Sequence, residues 1–237
     1  MELGEIIDLE EHRLMRGDAR KDIPKLIKGY NVDLLFTDPP YGIDLLRGKK
    51  TTIGLSTNEY KPIIGDDEPF DPQHLLDLGL PSILWGGNHY AGELPSQHHW
   101  IFWHKQANMT IENSFSDGEL AWTNLKGNTV KRYQYTWAGT VREGERRLEL
   151  NKRIHPTQKP VGLLIKLLEK YTKVGDVILD PYGGSGSTLI ACAETGRTCL
   201  MMELDEHYCD AIQKRYWDYR KATPRKRFDK KIQTTLI

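Results

Sequence analysis

Apolar positions in this chain follow two patterns. Short, mostly apolar runs bounded by polar or turn residues recur at 32–36, 83–85, 100–103, 176–180 and 198–202. Such runs, with little polar alternation, read as strands buried on both faces, as in a parallel sheet covered by helices. The other pattern has a period near 3.6. Ile23, Leu26 and Ile27 share one face, and Val161, Leu164, Ile165, Leu168 and Tyr171 form a longer stripe. The first of these helices is expected to start with Asp22 as its N-cap, Pro24 in its first turn and Gly29 as its end. A strand at 13–16 precedes it, so the chain opens with the strand–helix–strand unit from which parallel α/β sheets are built. Asp71-Pro72 predicts a short helix carrying Leu75, Leu76 and Leu78, while 119–122 and 132–137 read as further strands. A helix at 189–195, stopped by Gly196, completes the set. The fold class expected is α/β, a single mostly parallel sheet flanked by helices.

Two segments show neither pattern. Residues 43–70 mix Arg47, Lys49 and Lys50 with Gly and Thr, which suits a lid or binding loop and equally a plain insertion. Residues 138–155 are polar and rich in Arg142, Arg146, Arg147, Lys152 and Arg153. Charge sharpens this second observation. The chain balances 33 Lys+Arg against 33 Asp+Glu, yet residues 126–159 carry nine basic to three acidic and 214–237 nine to two. Residues 1–125 carry eleven to twenty. Such an uneven neutral chain points to a local surface for a polyanion, with the five named residues as its phosphate contacts. For the C-terminal run a solvated tail is an equal reading.

At 237 residues one domain, 1–237, is expected, with internal divisions at 1–125, 126–155, 156–213 and 214–237. No signal-peptide pattern and no run long enough to cross a membrane is present in the sequence. Cys192, Cys199 and Cys209 are odd in number and lack C-x-x-C spacing, so they read as small buried hydrophobes in a reducing cytoplasm. Strand alternation splits the faces of His98, His99 and His104, and no metal site is expected.

Two turns carry the candidate chemistry. Asp38-Pro39-Pro40-Tyr41 follows the 32–36 strand, and consecutive prolines cannot continue a sheet ladder, so the chain must leave the sheet at Asp38. The turn holds one carboxylate, free carbonyls and one aromatic face at the carboxyl end of a strand, where α/β sheets bind ligands. These groups suit an exocyclic amino group held by its protons while a ring stacks on the base that carries it. Taken alone, the tetrapeptide is equally a tight loop with a capping Asp. The second turn is Asp180-Pro181-Tyr182-Gly183-Gly184-Ser185-Gly186-Ser187-Thr188. Its glycines let the backbone approach a ligand, and the N-terminus of the helix that follows favours a carboxylate or phosphate. Glu203 ends the next strand, 203 − 180 = 23 positions on, where an acid suits the two hydroxyls of a ribose. No Lys stands where a Walker loop needs one, so the turn reads as a nucleoside-cofactor site.

Asp38-Pro39-Pro40-Tyr41 resembles the catalytic motif of DNA amino-methyltransferases, which methylate adenine N6 or cytosine N4 with S-adenosylmethionine. The 180–188 turn resembles that family's D-P-F-G-G-S-G-T cofactor motif, with Tyr182 in place of the usual Phe. His155-Pro156-Thr157-Gln158-Lys159-Pro160 resembles its H-P-T-Q-K-P element, which implies that Thr157, Gln158 and Lys159 lie beside the methionine part of the cofactor. Gly17-Asp18 resembles the acidic turn at the cofactor's adenine. The likeness covers roughly 13–42 and 155–219. The amino-binding motif precedes the cofactor motif, the order of the family's β group. A circularly permuted Rossmann-like methyltransferase is therefore implied, starting at the third strand of the usual order and leaving the sheet unchanged. On this reading 1–125 is the amino-binding half, 126–155 the target-recognition segment, 156–213 the cofactor half and 214–237 a basic tail.

The activity implied is methylation of adenine N6 in DNA, since cytosine-N4 members often carry Ser where Asp38 stands. Cytosine N4 and an inactive DNA-binding subunit are the alternatives. The roles implied are stacking of Tyr41 on a flipped base, and acceptance of the two amino protons by Asp38 and the carbonyl of Pro39. The partners implied are double-stranded DNA and, beside it, a cognate restriction endonuclease. The short recognition segment fits either few base contacts or a homodimer. The setting implied is the cytoplasm, for a bacterial or phage-encoded protein.

Overall fold

The computed structural model describes residues 1–45, 62–105, 116–138, 141–144, 146–149 and 153–223. In chain order come β1 (Ile6–Leu9), β2 (His12–Arg16), α1 (Ala19–Leu26), β3 (Leu34–Thr37), α2 (Gln73–Leu76) and β4 (Ser82–Trp85). Next are β5 (Trp100–His104), β6 (Gly118–Thr123), β7 (Lys131–Gln134), β8 (Trp137–Ala138), β9 (Val141–Arg142) and α3 (Arg146–Glu149). The last are α4 (Val161–Tyr171), β10 (Val177–Asp180), α5 (Ser187–Thr195), β11 (Thr198–Glu203) and α6 (Glu206–Ala222).

Among the described residues the main sheet runs β1-β2-β11-β10-β3-β4-β6-β5-β7. Its centre, β2-β11-β10-β3-β4, is parallel throughout. β1 and β6 attach antiparallel to β2 and β4, and β8 pairs with β9 in a separate ribbon. From β10 the chain turns through α5 to β11 on one side, and from β3 it turns through α2 to β4 on the other. The two connections diverge there, which opens a crevice at the carboxyl ends of the paired strands.

The buried runs explain why both sheet faces are covered. Leu34, Phe36, Cys199 and Met201 point to the face that packs Leu164, Leu167 and Leu189 from α4 and α5. Leu35, Leu200 and Met202 point to the other face, with Ile23 and Leu26 of α1 and Leu75 of α2. Successive strand residues alternate between two cores, so an apolar residue is required at nearly every position. Cys192, Cys199 and Cys209 are buried. Among the described residues no helix is long and apolar enough to cross a membrane.

The structure departs from the sequence expectations at several elements. β1 was not expected; its burial is mixed, because an antiparallel edge strand leaves one side to solvent. α1 begins earlier than the Asp22 cap predicts. Asp18 is the N-cap and accepts from Arg20 N, while Asp22 turns back to accept from Asp18 N at 2.9 Å. The single strand expected at 132–137 is split between β7 and β8. On α4 the buried residues are Val161, Leu163, Leu164, Leu167 and Leu168, while Ile165 and Tyr171 are only half-buried. Packing against α5 as well as the sheet moves the buried arc round the helix. Residues 214–222, assigned to a basic tail, continue α6, and Arg215, Tyr216 and Tyr219 are buried in it.

Leu167→Ala is expected to cost about 2–5 kcal/mol in chemical denaturation, as for a fully buried leucine. Ile165→Ala should cost much less. Equal losses would place the buried face back on the predicted stripe.

Candidate active site

Asp38 leaves the sheet directly after β3, whose last residue, Thr37, donates from Oγ1 to Asp180 Oδ1 at 2.7 Å. That bond crosses from β3 to β10 and sets the two candidate turns side by side. Asp38 Oδ1 accepts from Tyr41 OH and Oδ2 from Lys159 Nζ, each at 2.5 Å. The Tyr41 ring stacks on His89 with centroids 4.8 Å apart. It also lies over Gly86, where φ is +71° and an added Cβ would fall 2.0 Å from the ring. Asp66 fixes the backbone that follows: Oδ1 accepts from Tyr41 N and Gly42 N at 3.1 Å, and Oδ2 from Leu45 N at 2.9 Å.

The Gly-rich turn is held by the next strand and by the last helix. Gly183 N donates to Met202 O at 2.7 Å and Gly184 N to Glu203 Oε2 at 2.7 Å. Gly183 leaves no room for a side chain, because an added Cβ would meet Met201 Cγ at 2.9 Å. Arg215, 2% exposed, donates to Ser185 O at 2.8 Å and to Leu148 O at 3.1 Å. Ser187 Oγ donates to Lys159 O at 2.7 Å, which ties the 155–160 element to the start of α5.

A cavity of about 180 Å³ lies against both turns. Of the expected site residues, Asp18, Asp38, Pro39, Pro40, Tyr41, Thr157, Pro181, Tyr182, Gly184 and Glu203 line it. A smaller adjoining space is lined by Gln158, Lys159, Asp180, Gly183, Ser185, Ser187 and Thr188, again with Asp38, Thr157, Tyr182 and Gly184. Gly186 lines neither; it caps α5 with φ +75° and packs on Ile212. Lys159 is aimed at Asp38, and Gln158 accepts from Ile154 N at 3.2 Å in the interior. Neither lines the main cavity, although Asp38, which Lys159 contacts, does.

The wall residues outside the expected set include His155, Tyr208 and Asp66. His155 stands against the Tyr208 ring at 4.6 Å, and both line the main cavity with Asp66. His155 was at least visible at the head of its motif. Asp66 lies in an irregular stretch with no pattern to single it out.

Of the expected phosphate contacts, Arg142 on β9 and Arg153 lie over the Trp137 ring at 4.9 and 5.9 Å. Arg146 and Arg147 belong to α3, and Lys152 lies outside the described residues. The same holds for Arg47, Lys49 and Lys50 of the irregular segment.

Burial sets the protonation of the site. It raises Asp180 to about 7, although Thr37, Thr188 and the Tyr182 N–H bond to it. It raises Glu203 to about 7 against the amides of Asp205 and Gly184. It lowers His155 to about 3, with the Lys159 charge adding to the effect, so this imidazole is neutral at physiological pH.

Residues 97–214, about half of the chain, match the family described as DNA methylase. YubD of Escherichia coli (strain K12) is 46% identical over 63 residues, which is 27% of this chain and 28% of that protein. Type II methyltransferase M.HinfI of Haemophilus influenzae is 34% identical over 90 residues, or 37% of this chain and 25% of that protein. The matched segments thus span about a quarter of each relative's length. Solved structures extend the likeness in fold. The M1.HpyAVI-SAM complex superposes with a TM-score of 0.53 at 19% identity, covering 85% of this chain and 97% of that one. The cytosine-N4-specific PvuII DNA methyltransferase superposes with a TM-score of 0.53 at 13% identity, covering 89% and 91%. Fold and turns define a Rossmann-like α/β protein with a nucleoside-type crevice at its strand ends. The chain belongs to the N6/N4 DNA methylase family.

Because the Asp180 carboxyl is raised from 3.8 to about 7, the native state holds its proton more tightly than the unfolded chain does. Its contribution to stability is full below about pH 4 and is lost as pH rises through about 7. Asp180→Asn should remove this loss, so that thermal midpoints of variant and wild type diverge from acid to neutral pH in the variant's favour. A constant offset would contradict the assignment.

Proposed function

We propose that the chain transfers the methyl group of S-adenosylmethionine to an exocyclic amino group in double-stranded DNA, with adenine N6 as the target. One observation carries the reading: the cavity that passes Asp18, Glu203 and Gly184 also reaches Asp38 and Tyr41. Groups suited to a nucleoside cofactor and groups suited to an amino group therefore face one space. The residues fit the cofactor's chemistry. Gly184 brings bare backbone to the cavity, Glu203 and Asp18 offer carboxylates for hydroxyl and amine groups, and His155 with Tyr208 offers a ring wall. Solution of a protein of similar fold with this cofactor supports the choice.

Bound there, S-adenosylmethionine supplies an electrophilic methyl group. Asp38 and the carbonyl of Pro39 accept the two amino protons of a base flipped out of its stack. That draws the nitrogen lone pair out of conjugation, and the carboxylate opposes the positive charge that grows on nitrogen. Tyr41 offers its ring face to the base, held in place by Gly86 and Asp66. The choice of adenine rests on Asp38 itself, where cytosine-N4 members of the family often carry Ser. The name of M.HinfI supports a restriction–modification setting and, with it, a cognate endonuclease.

Asp38→Ala should abolish single-turnover transfer from labelled cofactor while leaving cofactor and DNA affinity largely intact, because its contact belongs to the transition state. Transfer near the wild-type rate would end the reading. Tyr41→Ala should instead weaken DNA binding by about 1–3 kcal/mol, the range for base–aromatic stacking. Nucleoside analysis of the product distinguishes N6-methyladenine from N4-methylcytosine.

A separate measurement addresses the cofactor. Glu203→Ala should weaken S-adenosylmethionine binding by about 1–3 kcal/mol in calorimetry, as for a lost charge-assisted hydrogen bond. Unchanged affinity would remove Glu203 from the cofactor site.

A further inference from the structure

Behind Asp38 lies a cluster of charges that the proposed reaction does not yet use. Lys159 Nζ stands 2.5 Å from Asp38 Oδ2, 2.9 Å from Glu119 Oε2 and 3.1 Å from Tyr41 OH, with its side chain 6% exposed. The other oxygen of Glu119 binds Lys105, whose side chain is 22% exposed. Glu119 comes from β6, Asp38 from the end of β3 and Lys159 from the segment before α4. An ammonium this deep is tolerated only with close counter-charges, and here it has two. Asp38, Lys159 and Glu119 therefore sum to one net negative charge, with the Lys105 ammonium beyond them and nearer to solvent.

We propose that Lys159 and Glu119 are positioning residues for Asp38. Lys159 keeps the carboxylate charged and aimed, and Glu119 offsets the ammonium so that the site stays negative where the amino nitrogen becomes cationic. Each Asp38 oxygen still has acceptor capacity after bonding to Tyr41 and Lys159, so the target amino group can bind without displacing either. The charge arrangement stands by itself; its use in catalysis rests on the methyl-transfer reading.

The neighbouring groups agree with this assignment. Burial pushes Asp38 above the usual carboxylate range, opposed by Lys159 and reinforced by Glu119. Burial would also raise Glu119, but Lys159 and Lys105 hold it down to about 2. Burial works against the Lys159 charge, yet Asp38 and Glu119 outweigh it and raise its value. The other titratable groups that face this cluster are Tyr41, Tyr90, His155 and Asp180. The two tyrosines are held neutral by burial and by the Asp38 charge. His155 is neutral, and Asp180 is raised by burial with the Asp38 charge adding to the effect.

The test is a carbon-13 NMR titration of the Asp38 carboxyl, run beside the pH dependence of single-turnover transfer. Lys159→Met should raise the Asp38 midpoint by about 1–3 units, the effect of removing an adjacent opposite charge. Glu119→Gln should lower it by about one unit, by removing a like charge, and reduce the transfer plateau roughly tenfold. Lys159→Arg, which keeps the charge, should leave the midpoint near wild type. Should Lys159→Met fail to fold, Glu119→Gln and Lys159→Arg decide the matter. A midpoint unmoved in Glu119→Gln, with only the plateau reduced, means a packing role and overturns the proposal. If the wild-type chain transfers no methyl group, the methyl-transfer reading falls, while the titration still decides the charge assignment.

Discussion

Three carboxyl groups, Asp180 buried and the other two half-buried, meet at one end of one sheet, and the site is organised by how each is tolerated there. Asp38, Asp180 and Glu203 follow or end the neighbouring strands β3, β10 and β11. Left together and bare, they would repel one another and lose their hydration. Each has a different solution. Asp38 has an ammonium within 2.5 Å, Glu203 takes backbone N–H groups, and Asp180 accepts from the Thr37 hydroxyl with a carboxyl raised towards neutrality. Three acids therefore stand in one crevice with three distinct electrostatic characters.

The parallel core explains why these solutions are available. Because β10 and β3 lie side by side while their chains depart in opposite directions, a crevice opens at their carboxyl ends. The glycines of the 180–188 turn then bring backbone to the cavity wall, and the prolines of the Asp38 turn take their segment out of the ladder. Lys159 can enter this space because Ser187 Oγ fastens its carbonyl. The architecture and the charge pattern thus depend on the same strand adjacency.

Much of this was legible in the sequence, for local reasons. The buried strands could be read because each must serve two cores, which forces apolar residues at consecutive positions. The two turns could be read because prolines force the chain out of the sheet, glycines admit a close backbone approach, and the resemblance covers both together. What escaped depends on distant partners. Asp18, rather than Asp22, caps α1, and only the fold shows Asp22 turning back to accept from the Asp18 N–H. Asp66 looks like any loop acid until four residues of the Asp38 turn arrive with their amides exposed. Lys159 sits in a motif whose resemblance implies the cofactor, yet its amine reaches a carboxylate 121 positions away. α6 was hidden because its basic face suggested a tail, while Tyr216 and Tyr219 on the other face fill the core.

The distance along the chain between β3 and β10 bears on how the molecule comes into being. The hydroxyl of Thr37 and the carboxylate it meets are 143 positions apart, and Arg215, which clasps the glycine turn, comes later still. During synthesis β3 emerges long before the strand that belongs against its inner edge. Until then that edge presents unpaired N–H and C=O groups, which invite pairing with another chain. Contacts of such long range also form slowly. The permuted order makes the middle of the sheet the last seam to close, so a nascent chain has no complete crevice until α6 has been made.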